Sequence, residues 1–439
     1  MNLIQKIALY VFVAFIACGG DNPTGPEGED SPTDSGLDAH RFDITENQTS
    51  DFGMNTPGGR GGRVIRVTNL LPNGQGSLDA ALSASGPRIV VFEVGGVIDL
   101  NKTRLNIREP FVTVAGQTAP SPGITIIRGA IFIQTHDVIM QHIRVRPGDA
   151  GEPRRSGWEP DGISTAGADA YNILIDHCSI SWAVDENLSA SGPNTEGPDA
   201  TSRRIAFVNC IIAECLNDAS HSKGPHSMGS LIHDFCREIA IIGNLYAHNA
   251  NRNPYFKAFT TGVIVNNLIY NPGSRAIQLS FSDAEFSDTN LVPQNARVSV
   301  VGNVMIHGGN TRSGLALVSS KGDAYLEDNI ALDRTGANVP LTSGNIRILE
   351  EKPIWGNITS LPASAVVEHV VASAGARPKD RDEIDQRIIH EFRAREGRMI
   401  DSQQEVGGYP QIKMVRRPLN IPADVDAWLA QLAAELEGK

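Results

Sequence analysis

IAIIGNLYAHNANRNPYFKAFTTGVIVNNLIY, residues 239–270, holds two short runs of one design with a polar loop between them. Each run reads apolar pair, polar residue, apolar pair. Val and Ile dominate, which suits pleated strands, and Gly and Asn punctuate them. The loop NRNPYFK, residues 251–257, sets two cations, Arg252 and Lys257, on either side of a proline that fixes the local backbone. A cation held rigidly at a strand end suits an anionic ligand. Taken alone, Arg252 reads more readily as a loop arginine in a surface ion pair.

Working outward, the same grammar recurs from Arg88: IVVFEVGGVIDL, ITIIRGAIFIQT, VIMQHIRVRPGD, NILIDHCSIS, RIAFVNCIIAEC, VSVVGNVMIHG, AYLEDNIALD. Aligning the runs puts Asn209, Asn244, Asn267, Asn303 and Asn329 at one place, with His177 in the same column. Successive gaps are 32, 35, 23, 36 and 26 residues. The short gaps suit one coil of a solenoid and the long ones a coil that carries a loop. An asparagine repeated at a bend can bond its neighbours above and below. A β-sandwich would instead want tight hairpins, and Asn73-Gly74 and Asp161-Gly162 are not flanked by paired strands. The expected fold is therefore all-β, a right-handed single-stranded parallel β-helix over residues 63–345. A short helix near Ser77 precedes it. Residues 346–439 form a C-terminal arm with helices, packed on its outside.

Residues 1–17 read as a lipoprotein-type signal peptide: Lys6, an apolar run too short to span a bilayer, then Phe15-Ile-Ala-Cys18. Cys18 is then the lipid-bearing residue and the chain an exported one, at the outer membrane or cell surface or secreted. Residues 18–62 read as an acidic disordered tether; nine Asp and Glu stand against one Arg in residues 19–52. The formal charge of −12 argues against a nucleic-acid partner. Cys178, Cys210, Cys215 and Cys236 allow two disulfides or four buried thiols, and no CxxC pair suggests zinc.

Two further clusters carry acids. Trp158-Glu-Pro-Asp-Gly-Ile163 places Asp161 at the entrance to a strand. Ser181-Trp-Ala-Val-Asp-Glu-Asn187 places Asp185 and Glu186 just past one. Coils of a solenoid lie about 4.8 Å apart. The three carboxylates could then converge on a hard cation such as Ca²⁺. Singly, each reads as a turn cap.

With AGQTAP (115–120), RVRPGD (144–149), NILIDHCSISWAVDEN (172–187), HSKGPHS (221–227) and NRNPYFK, the chain resembles a bacterial pectate lyase of polysaccharide lyase family one. The resemblance spans residues 63 to about 345 and the arm. It implies calcium-dependent β-elimination of polygalacturonate to unsaturated oligogalacturonides, by a monomer. Arg252 matches the base, the first arginine of an RxPxxR motif. Lys257 stands in place of the second, keeping charge but losing the bidentate fork. Asp161 and Asp185 match calcium ligands, with Glu186 the nearest third. Lys223 matches a substrate-binding lysine, although Ser222 replaces the usual acid before it. His226 is a second substrate contact or a packed histidine. The competing readings are a β-helical polygalacturonase with paired carboxylates and no metal, a calcium-free pectin lyase, and a non-catalytic glycan-binding solenoid.

Overall fold

A computed structural model of the protein describes residues 50–193 and 196–439. The signal segment, Cys18 and residues 18–49 of the expected tether lie outside the described residues. Within them, parallel strands stack coil upon coil in three faces. The first face begins at Arg63–Val67 and Arg88–Phe92 and runs through Tyr171–Asp176, Arg203–Val208 and Arg237–Ile242 to Thr261–Val265 and Arg297–Val301. The second runs from Val94–Asp99 through Ser179–Ser181, Ile211–Ala213, Leu245–Ala247 and Leu268–Tyr270 to Ile330–Leu332. The third runs from Arg104–Ile107 through Ile163–Ala166, Glu186–Ser191, Met228–Ile232 and Tyr255–Phe256 to Ile277–Leu279. The long strand Val318–Glu327 pairs with both the first and the third faces and joins them. This is the architecture of a parallel β-helix.

Alternation along each strand sends one set of side chains inward. Ile175, Phe207, Ile241, Ile264 and Val300 form one such column, each fully buried. The N-terminal helix Leu78–Leu82 is capped by Ser77, whose hydroxyl accepts from the Ala80 N–H at 3.2 Å. Its Leu78 and Leu82 join the same core as Val67 and Leu105.

The bend between the first and second faces carries an amide ladder. Asn267 Oδ1 accepts from both the backbone and side-chain N–H of Asn244 (2.9 and 3.0 Å). Asn303 does the same for Asn267, and Asn329 for Asn303. The strand register corrects the sequence alignment at two residues. Cys178 and Cys210, not His177 and Asn209, occupy the ladder column below Asn244. His177 and Asn209 sit one residue earlier, in a left-handed position shared with His142, Gly243, Asn266, Gly302 and Asp328 (φ between +46° and +68°). Both positions accept Asn, one for its conformation and the other for its hydrogen bonds.

Residues 50–62, expected in the tether, pack on the first face instead. Phe52 is fully buried with Ala206, Ala240 and Val263, and Gly59 N–H donates to Thr113. Sequence reading missed this because the segment contributes one large apolar anchor amid polar residues.

In the arm, helices Ala363–Ser373 and Glu383–Ala394 lie on the second face. Val366, Val370, Ile388 and Phe392 pack against Leu245, Leu268, Tyr270 and Val304. Buried Arg146 bonds Asp382 and Asp385, and Arg387 meets Glu214 in a two-pronged pair at 2.6 Å per prong. The last helix, Val425–Glu437, sets Leu429 on Ile89, Val91 and Ala115 of the first face. The four cysteines are free, buried thiols. Burial pushes the Cys178 thiol up to about 12, as expected of an inert core residue.

Candidate active site

The acidic clusters and the NRNPYFK loop come together where the chain enters the third face. Asp161 and Gly162 lead into Ile163–Ala166, and Gly162 N–H donates to the Glu186 carbonyl in the next coil. Glu186 opens its own strand opposite Met228, and Met228 bridges to Asn251. Asp185, Glu186 and Arg252 are thereby brought to one edge, two coils apart. Beneath them, Asn187, Asn249 and Asn253 form a second buried amide chain. Asn187 donates to Asn249 (3.2 Å) and Asn249 to Asn253 (3.1 Å). It ties the residue after Glu186 to the residue after Arg252.

Oxygen atoms of Asp161, Asp185 and Glu186 all lie within 4.8 Å of one another. Asp161 accepts from the Ser189 hydroxyl (2.8 Å) and the Glu186 backbone N–H (3.2 Å). Burial first, and the neighbouring Asp185 charge second, push its carboxyl up to about 7. Burial also pushes Asp185 up, but the hydrogen bond and charge of His226, then Arg252 and His221, hold it below its ordinary value. Two carboxylates crowded this closely, one of them against its ordinary ionisation, make a donor set that a hard dication fits.

Arg252 has φ +60°, sits 5.8 Å from the centre of the Tyr255 ring, and contacts the Glu186 carboxylate through Nη1. Burial lowers its pKa, against the raising effects of Asp185, Tyr255 and Asp161.

Three expected substrate contacts fare differently. Lys223 stands exposed on the loop beside His221. Lys257 does not face the groove: it is 5 % exposed, with Nζ on Asp234 (2.8 Å) and Glu285 (2.6 Å). Sequence displayed its charge but not the two carboxylates from flanking coils that neutralise it. His226 is also not free. Its Nε2 meets Asp185 Oδ1 at 2.7 Å and its ring stacks on His221 at 3.8 Å. His221 was missed by sequence reading; its spacing of five from His226 gives no periodic signal. Burial, then the His226 charge, lowers its pKa, and its Nδ1 accepts from the Lys223 N–H.

A cleft of about 640 Å³ leaves this cluster toward the N-terminal coils, from Asp161 and Ser164 past Trp158 and Phe132 to Arg104 and Lys102. The Arg104 guanidinium lies 4.9 Å from the Phe132 ring centre. Apolar rings flanked by cations suit an acidic sugar.

No family model matches the chain. A protein of Aspergillus flavus described as probable pectate lyase C is 32 % identical over 86 % of this chain and 85 % of its own length. Its counterpart from Aspergillus fumigatus is 33 % identical over 81 % and 79 %. The chain belongs to the pectate lyase family. These sequence relatives are fungal, so they lend no support to the bacterial origin in the resemblance. Solved structures agree on the fold. The cedar pollen allergen jun a 1 matches with a TM-score of 0.54 at 16 % identity, over 73 % of this chain and 90 % of that one. A pectate lyase bound to a hexasaccharide matches at 0.51 and 14 %, over 76 % and 98 %. The parallel β-helix is thus the fold of known pectate lyases, and the chain is a lyase enzyme.

Proposed function

We propose that this pectate lyase is calcium-dependent and cleaves polygalacturonate by β-elimination, releasing unsaturated oligogalacturonides. The observation that carries the reading is the convergence of Asp161, Asp185 and Glu186 on Arg252 at one edge of the third face. Asp161, Asp185 and Glu186 would hold Ca²⁺; the ion, when bound, offsets the negative charge that develops on the substrate carboxylate. Arg252 takes the C5 proton of the galacturonate. The electron pair closes a C4–C5 double bond, the C4–O bond breaks, and the leaving oxygen takes a proton from solvent. A base must be neutral when it acts, and free arginine titrates at about 12.5–13.8. The burial that lowers the Arg252 pKa supports that role, and turnover should rise with pH above neutrality. Lys223 holds a neighbouring uronate at the rim. Lys257 acts indirectly, by bracing the loop that carries Arg252 against Asp234 and Glu285. His226 orients Asp185.

In the same reading the solenoid is right-handed and the enzyme is an exported monomer, tethered through a lipid on Cys18, with no nucleic-acid partner. Among the described residues no helix is long and apolar enough to cross a membrane. The deciding experiment is ultraviolet absorbance of the unsaturated product on polygalacturonate, with Ca²⁺ and with chelator. Activity should vanish with chelator and return with calcium. Full activity in chelator removes the metal assignment, and chain cleavage without the chromophore makes the enzyme a hydrolase.

A further inference from the structure

A second group of side chains, at the bend between the first and second faces, has no part in this chemistry. We propose that His142, His177 and Glu437 form a site for a dication of the zinc class that clamps the last helix to the solenoid. His142 and His177 occupy the left-handed position in consecutive coils, with rings stacked at 5.4 Å and 18°. They are 0 % and 2 % exposed, and the Glu437 side chain, from the end of helix Val425–Glu437, is 7 % exposed.

The hydrogen bonds leave His142 Nε2 free for an ion. His142 Nδ1 lies 2.7 Å from the Ala376 carbonyl and so carries the proton. Its Nε2 then bears a lone pair, buried and without a hydrogen-bond partner. A backbone carbonyl behind an imidazole is the arrangement that fixes the tautomer of a metal-ligating histidine. Glu437 Oε1 stands 3.6 Å from His142 Nε2 and 3.5 Å from His177 Nδ1. The three ligand atoms all lie within 4.8 Å of one another. Both separations exceed a good hydrogen bond. They approximate the edge of a tetrahedron, about 3.4 Å, whose corners lie about 2.0–2.1 Å from a zinc ion.

The surroundings fit that charge. The other Glu437 oxygen is taken by Lys439 Nζ at 2.5 Å, which leaves Oε1 for the ion. Asp176 Oδ1, 2.7 Å from His177 Nδ1, adds a second carboxylate, held in turn by Gln141. On binding, the ion takes the place of a proton at His177 Nδ1, the ring stays neutral with its one proton on Nε2, and Asp176 flanks the ion. The end of a helix adds partial negative charge. Two imidazole nitrogens select zinc-like metals over calcium, which takes oxygen. A purely hydrogen-bonded patch would leave His142 Nε2 desolvated and unpaired.

The test uses the full chain, stripped with chelator and dialysed against Zn²⁺ alone, with bound metal and thermal unfolding measured. Because Asp185, His221 and His226 are also close enough to share a metal, His226→Gln is run alongside. The expected result is that His142→Gln/Glu437→Gln loses one equivalent of zinc that His226→Gln keeps. The zinc-induced rise in Tm disappears with it, while turnover on polygalacturonate with calcium stays unchanged. Glu437→Gln alone, which removes no core atom, should keep the fold and weaken zinc binding at least tenfold. Failure of the wild type to bind zinc overturns the site. So does the same zinc stoichiometry and Tm rise in the double variant.

Discussion

The flank under the arm and the edge of the third face use the same side chains to opposite ends. On the flank, burial alone would lower the pKa of Arg146, but Asp382 and Asp385 outweigh it and the net shift is upward. Arg387 is raised in the same way by Glu214 and Glu391. At the third face, burial wins instead: Arg252 is lowered despite the nearby Asp185 and Asp161 carboxyls, and Asp161 is pushed up to about 7. Buried charge is common to both regions. For these four groups the difference is whether neighbouring charges outweigh burial; burial also wins under the arm at Arg377 and Arg381, so at the third face the convergence with Asp185 and Glu186 is what marks a working site.

Substitutions at four positions would break or sharpen that contrast. The largest effect should come from Arg252→Lys or Arg252→Ala, which should cut turnover on polygalacturonate by about 10²–10⁴. Substrate affinity should change far less, and the melting curve should stay near wild type. Near-normal turnover would remove Arg252 from the mechanism. On the flank the expected damage is to stability. Asp385→Ala removes one of the two carboxylates that Arg146 holds and strands the Ser179 hydroxyl; the two donate to it at 2.8 and 2.7 Å. The loss should be about 3–5 kcal/mol in a denaturant titration, with turnover of the folded fraction intact.

A smaller effect belongs to His248, fully buried and held down to about 4 by burial first, then by Arg387, with Glu214 opposing. In the unfolded chain it titrates near the ordinary histidine value of 6.5. As pH falls from that value toward 4 the unfolded chain takes a proton that the fold refuses. The wild type should therefore lose up to about 3 kcal/mol across that window. His248→Gln should show a flatter acid limb, and equal slopes would discharge His248 from the effect. The smallest change is Lys223→Ala, which should raise KM by about fivefold at most, the worth of one exposed charge pair, with kcat unmoved. A collapse of kcat would make Lys223 the next candidate base.

The solenoid was legible because a repeated bend writes itself into the sequence. Asn244, Asn267, Asn303 and Asn329 do in three dimensions what their alignment implied. The slip at His177 and Asn209 has a local cause: adjacent positions of the bend both accept Asn, and only Gly243 and Gly302 mark which one is left-handed. The convergence of Asp161, Asp185, Glu186 and Arg252 was legible through the same repeat. The partners of Lys257 and His226 were not, since pairing across coils depends on loops of unequal length that no spacing rule encodes. Nor was helix Ala363–Ser373, whose capping position is Pro362 with no side-chain bond to announce it.

The amide ladder also works as a ruler. Consecutive rungs are separated by 23, 36 and 26 residues of chain, yet each meets the next at about the same 2.9–3.0 Å. Extra residues must therefore swell outward as loops, because the rungs forbid any change of pitch. Doubling a loop costs only about 0.6 kcal/mol of closure entropy. The scaffold can thus accept insertions or exchanged loops around the groove while the strands that carry Asp161 and Arg252 keep their register.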